Sequence, residues 1–123
     1  MPRAVLFDRD GTLVRDVPYN DEPAKVEAMP GAVEAVWALR AAGLRTAVVS
    51  NQSGVARGLV APEALARVNA RVDEIFGPFE AWEVCTHAPD EDCACRKPRP
   101  GLIEGAARRL GVRPDECVVI GDI

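Results

Sequence analysis

Two carboxylates stand two residues apart in Asp8-Arg9-Asp10-Gly11-Thr12-Leu13, directly after the apolar run Ala4-Val5-Leu6-Phe7. On extended backbone that spacing aims both side chains toward one side, and like charges held so close call for a cation. A hard divalent ion such as magnesium suits oxygen ligands and would weaken the repulsion between a carboxylate and an incoming phosphate dianion. A carboxylate is already ionised near neutral pH, so Asp8 could attack phosphorus and form an acyl phosphate without a neighbouring base. The departing alkoxide still needs a proton. The single histidine, His87, belongs to a metal-like cluster, which leaves Asp10 as acid and later base, provided the site raises its pKa. Asp122, near the other end of the chain, is the natural third magnesium ligand.

An isolated Asp-x-Asp-Gly is ordinary turn chemistry; its context points elsewhere. Ser50-Asn51-Gln52-Ser53-Gly54-Val55-Ala56-Arg57-Gly58 offers a hydroxyl, backbone N–H groups and glycine freedom, a combination that can hold phosphate oxygens. Arg96-Lys97-Pro98 supplies two cations, and a lysine aimed at a transferring phosphoryl group stabilises its charge in the transition state.

A second constellation is of another kind. Cys85, His87, Cys93 and Cys95 place three sulfurs and one nitrogen within eleven residues, the ligand set of a closed tetrahedral zinc site with no open position for chemistry. Its expected task is structural, stiffening the loop that presents Arg96 and Lys97. Cys117 lies in a strand pattern and reads as a buried apolar filler.

These residues need a scaffold, and strand-type runs are expected near Arg3 to Phe7, Arg45 to Val49, Trp82 to Thr86 and Cys117 to Ile120. Helices are expected between them. The first follows Pro30-Gly31 and carries Val33, Val36, Trp37 and Arg40 to a stop at Gly43, with its apolar face on a sheet. The second starts near Pro62 and carries Leu65, Val68, Val72, Ile75 and Phe76 before Gly77-Pro78; the third follows Pro100-Gly101 and ends before Gly111. Alternating strands and helices with right-handed crossovers give a three-layer α/β/α sandwich around a mostly parallel, Rossmann-like sheet. Ligands bind beyond the carboxyl ends of strands in such sheets, and every polar cluster named above falls there.

In their order, Asp8 to Leu13, Ser50 to Gly58, Cys85-Thr86-His87, Cys93 to Pro98 and Gly121-Asp122 resemble the motifs of the heptose-bisphosphate and histidinol-phosphate phosphatases. These are a nearly capless branch of the haloacid dehalogenase superfamily, and the resemblance spans about residues 3 to 123. It implies Asp8 as nucleophile, Asp10 as general acid/base, and Ser50 and Lys97 as the phosphoryl-binding pair. It further implies magnesium held by Asp8, the Asp10 carbonyl and Asp122, with Asn51 and Arg96 orienting substrate. The chain stops at Ile123, at the end of a buried-type strand and inside a catalytic motif, so one domain over 1–123, truncated at its C-terminus, is expected.

The bulk numbers agree with such an enzyme. With 123 residues, 48% hydrophobic, the chain can build one core, and a net charge of −4 provides no global field for nucleic acid or an anionic membrane. The apolar run before Asp8 is too short for a signal-peptide core or a membrane span, so a cytoplasmic protein, expected to be a monomer, follows. The expected substrate is a small sugar phosphate of the heptose-bisphosphate type, within carbohydrate metabolism. The segment from Arg15 to Met29 would shape the leaving-group pocket. The enzymatic alternative is histidinol phosphate, which the short gap between His87 and Cys93 resembles. A non-catalytic, zinc-stiffened binding module is the alternative of another class; the acidic balance and the lack of an Arg/Lys stripe argue against it.

Overall fold

Four short strands built from β-branched and small apolar residues form one parallel sheet in the order β3-β2-β1-β4, where β1 is Ala4–Phe7, β2 Arg45–Asn51, β3 Ala81–Cys85 and β4 Cys117–Ile120. The computed structural model describes residues 2–87, 93, 97 and 100–121. Strand side chains alternate between the two sheet faces, and the core divides accordingly. Ala4, Leu6, Ala47 and Val49 pack on one face against Leu102, Ala106 and Leu110 of α3, Gly101–Leu110. Val5, Phe7 and Val48 pack on the other against Val36 of α1, Ala32–Ala41, and against Val72 and Phe76 of α2, Pro62–Phe76. The three layers expected from the sequence are therefore present, with each of the three helices within a residue or two of its expected limits.

The helix ends follow local chemistry. Pro62 opens α2, where its missing N–H costs no intrahelical bond, and Gly77 ends it with φ of 76°. The last carbonyls of α2 are then bound by Arg40 of α1, whose Nη1 donates to the Phe76 carbonyl at 2.6 Å and whose Nη2 donates to that of Gly77 at 2.8 Å. A cation at a helix C-terminus also offsets the macrodipole. Asp73 ties the same helix to β3, accepting from the Phe79 N–H at 3.1 Å and the Trp82 Nε1 at 2.9 Å.

Two expectations fail. Trp37 was expected on the sheet-facing stripe of α1, but it is 53% exposed. Its ring instead turns outward under the Arg40 guanidinium, 5.1 Å from the ring centroid, because Val36 already fills the inward position. The strand β4 is not fully buried either. Val118 is 43% and Ile120 41% exposed, since β4 is the edge of the sheet and only alternate residues, Cys117 and Val119, pack on the α3 face. Cys117 is accordingly half-buried rather than enclosed. No helix among the described residues is long and apolar enough to cross a membrane.

Candidate active site

Parallel pairing brings the carboxyl ends of β1, β2 and β4 to one rim. The register sets Phe7 beside Val48 and Ile120, and the Asp8 N–H extends the ladder by donating to the Ile120 carbonyl at 3.0 Å. Asp8 therefore leaves the sheet on backbone fixed from its neighbour. Gly121 follows Ile120, and a Cβ there would lie 2.8 Å from the Cβ of Asp8. That distance is shorter than any real contact, so the close approach of β4 to Asp8 requires glycine.

The ammonium of Lys97 lies 3.3 Å from Asp8 Oδ1 and also donates to the Val49 carbonyl at 2.8 Å. The backbone N–H of Lys97 donates to Asn51 Oδ1 at 3.1 Å. The lysine is thus tethered at both ends to β2, and only 9% of its side chain is exposed. Burial pushes the Asp8 carboxyl up from its ordinary pKa. The Lys97 charge and hydrogen bond, and the Arg9 backbone N–H at 2.9 Å, oppose that rise without cancelling it. The neighbouring Asp10 charge adds a smaller upward push.

Asp10 occupies a different environment. The guanidinium of Arg9 grips its carboxylate with two bonds, Nε to Oδ1 at 3.0 Å and Nη2 to Oδ2 at 3.1 Å, and Gln52 Nε2 donates to Oδ2 at 2.9 Å. The same Gln52 nitrogen lies 2.8 Å from the Ser50 hydroxyl, which is itself buried at the end of β2. Arg9 Nη1 reaches Asn69 Oδ1 of α2 at 2.8 Å. Asp8, Asp10, Ser50, Asn51 and Lys97 are therefore linked on one rim through direct contacts and through Arg9 and Gln52. Arg96 and Asp122, the expected substrate-orienting and third metal-binding residues, lie outside the described residues.

The sulfur cluster stands beside this rim. Cys85 pairs with Asn51 in the sheet register, and its carbonyl accepts from the Gln52 N–H at 2.6 Å. Its Sγ lies 3.4 Å from His87 Nδ1 and 3.7 Å from Cys93 Sγ. Zinc bonds of about 2.3 Å to sulfur and about 2.05 Å to nitrogen at tetrahedral angles imply edges of roughly 3.8 and 3.6 Å, so these three donors fit zinc. Cys95, the expected fourth ligand, lies outside the described residues. For magnesium, the Asp8 carboxylate and the backbone carbonyl of Asp10 are hard oxygen donors of the appropriate kind, and a cation beside Asp8 would offset the burial that raises its pKa.

A family model for haloacid dehalogenase-like hydrolases matches residues 19–123. The chain belongs to the haloacid dehalogenase-like hydrolases. Within that family it falls with the heptose-bisphosphate phosphatases. It is 37% identical, over 98% of its length and 71% of the relative's, to the D-glycero-beta-D-manno-heptose-1,7-bisphosphate 7-phosphatase of Pseudomonas putida. It is 31% identical, over 99% of its length and 72% of the relative's, to the enzyme of the same name from Pasteurella multocida. Among solved structures, this hydrolase chain superposes with a TM-score of 0.79 and 34% identity on the D,D-heptose 1,7-bisphosphate phosphatase of B. bronchiseptica, crystallised with magnesium and phosphate. That match covers 91% of this chain and 65% of the other, so the chain spans just under two thirds of that solved structure.

Sequence reading did not assign roles to Arg9, Gln52 or Asn69. Arg9 and Gln52 sit inside motifs whose other residues drew attention, and the motif position of Arg9 between two carboxylates was the available signal. Asn69 carried none: it is one polar residue on an amphipathic helix, and only the packing of α2 on the Asp8 loop brings it to Arg9.

Proposed function

We propose that this hydrolase cleaves a phosphomonoester through an aspartyl phosphate on Asp8, with a heptose 1,7-bisphosphate as its substrate. The observation that carries the reading is the pair formed by Asp8 and the doubly tethered Lys97 at the carboxyl rim of the sheet. A nucleophile and the cation that meets its target occupy one point there. The names of the relatives favour the sugar phosphate over histidinol phosphate.

In this mechanism an Asp8 oxygen attacks phosphorus while the bond from phosphorus to the ester oxygen breaks. Asp10 gives a proton to the departing alkoxide, then removes one from the water that attacks the phosphorus of the acyl phosphate. That second step breaks the bond between phosphorus and the Asp8 oxygen and releases inorganic phosphate. Lys97 and the Ser50 hydroxyl bind phosphoryl oxygens, and Lys97 stabilises the charge that grows on them. Asn51 and Arg96 orient the substrate. Asp8, the Asp10 carbonyl and Asp122 would hold magnesium, which supplies charge neutralisation between carboxylate and phosphate.

Cys85, His87, Cys93 and Cys95 would hold zinc in a structural role, thiol ligands suit a reducing compartment such as the cytoplasm, and the enzyme is read as a monomer that acts on a small molecule and not on nucleic acid or membrane. Phosphate release from D-glycero-D-manno-heptose 1,7-bisphosphate and from histidinol phosphate, each with magnesium and with chelator, tests the reading. Magnesium-dependent release that favours the heptose ester is expected. A preference for histidinol phosphate overturns the substrate, and no release from any phosphomonoester overturns the activity.

A further inference from the structure

Arg9 is the largest fully enclosed side chain of the described residues, 2% exposed, although it lies in a polar turn at the rim of the sheet. Removing a guanidinium from water costs several kcal/mol, which an ion pair alone does not reliably return. A purely stabilising role is therefore a weak explanation for this arrangement. Its geometry suggests another. The planar fork of arginine presents donors in fixed directions, and three separate elements receive them: Asp10 in the turn, Gln52 after β2 and Asn69 on α2.

We propose that Arg9, braced by Asn69, is a positioning residue that holds the Asp10 carboxyl in one orientation and reserves its Oδ1 for the travelling proton. A carboxylate offers about four lone-pair directions. Among the described residues Oδ2 receives Arg9 Nη2 and Gln52 Nε2, while Oδ1 receives only Arg9 Nε. The remaining direction on Oδ1 is where the proton passed to the alkoxide, and later taken from water, resides. Asn69 matters because Arg9 has no other contact to α2 among these bonds. Its acceptor fixes the far end of the fork at 2.8 Å, and a misplacement of about 1 Å in a reacting group can lower a rate by about 100-fold.

The inference rests on the acid role proposed for Asp10, so its test separates the two. Release of the alcohol or of p-nitrophenolate, which reads phosphoryl transfer to Asp8 before water attacks, is followed in single turnover with enzyme in excess on an alkyl phosphate and on p-nitrophenyl phosphate, whose leaving group departs without a proton. In Asn69→Leu, which keeps the shape and loses the acceptor, the alkyl phosphate rate should fall about tenfold or more, with unchanged substrate affinity. The p-nitrophenyl phosphate rate should stay near the wild-type value. Asn69→Asp, which keeps an acceptor for Arg9, should restore the alkyl phosphate rate. Melting curves establish that both variants are folded.

An equal fall on both substrates, no fall on either, or failure of Asn69→Asp to restore the rate overturns the brace while leaving the phosphatase intact. Wild-type protein without hydrolysis of either ester overturns the proposed function, and the inference with it. If Asn69→Leu does not fold, Asn69→Ser carries the same comparison.

Discussion

Lys97 touches Asp8 and β2 at once: its ammonium lies 3.3 Å from Asp8 Oδ1 and 2.8 Å from the Val49 carbonyl. Asp8 and Lys97 are thereby fixed to neighbouring strands of one sheet, β1 and β2, which pair in register over the full length of β1. A rigid parallel sheet sets the geometry on which the chemistry depends.

Replacing Lys97 with Met should lower kcat/KM by about 100- to 1,000-fold, the usual cost of losing one preorganised donor to a developing charge. The pH profile should move as well. Lys97 holds the Asp8 carboxyl down against the upward push of burial. Without it the carboxyl protonates at higher pH, so the acidic limb of kcat/KM should shift toward neutral. Initial-rate profiles of both proteins check the direction.

The same burial has a consequence for stability. The folded-state pKa of Asp8 is raised, so the folded protein binds this proton more tightly than the unfolded chain does, and stability falls as pH rises through that window. The full cost is present above the folded pKa and absent below the ordinary carboxylate range. Asp8→Asn in chelator should therefore melt higher than wild type near neutral pH. The difference should vanish in acid. Thermal melts at several pH values measure it.

Gly121 is set by space and not by backbone conformation. Its Cβ would meet that of Asp8 at 2.8 Å, and neither atom is the end of a flexible side chain. Gly121→Ala should destabilise the protein by about 1 to 3 kcal/mol, as overpacking does, and should displace Asp8 enough to reduce turnover strongly. Denaturant midpoints and kcat of the variant test both parts.

Much of this was legible in the sequence because the signals are local. Pro62 and Gly77 bracket α2, and Pro100-Gly101 and Gly111 bracket α3, so periodicity and end signals coincide. Asp8 could be read because it directly follows β1, and Lys97 because it sits in Arg96-Lys97-Pro98 shortly before α3. What could not be read depends on packing between distant segments. Trp37 turns outward, under the Arg40 guanidinium that caps α2, because Val36 fills the inward position, and the link from Arg9 to Asn69 spans sixty positions. The half-exposure of β4 depends on its place at the sheet edge, which a run of Val and Ile does not reveal.

The sulfur cluster should bind one zinc per chain. Cys85 pairs with Asn51 in the sheet, and Asn51 holds the Lys97 backbone, so loosening the cluster should be felt at Lys97. Cys93→Ser, or zinc removal with a thiophilic chelator, should lower kcat about tenfold or more if Lys97 shifts by about 1 Å, with little change in magnesium dependence. Metal analysis together with magnesium titration of activity provides the check.

The proposed mechanism requires that Asp8 carry the phosphoryl group. Acid quenching during turnover, reduction with borohydride and peptide mass spectrometry reads it directly, because an acyl phosphate is reduced to an alcohol and an ordinary carboxylate is not. Homoserine is expected at position 8 in wild-type protein quenched during turnover, and none without substrate. Turnover that proceeds with residue 8 recovered unchanged as aspartate, or with the alcohol found at another carboxylate, would contradict it.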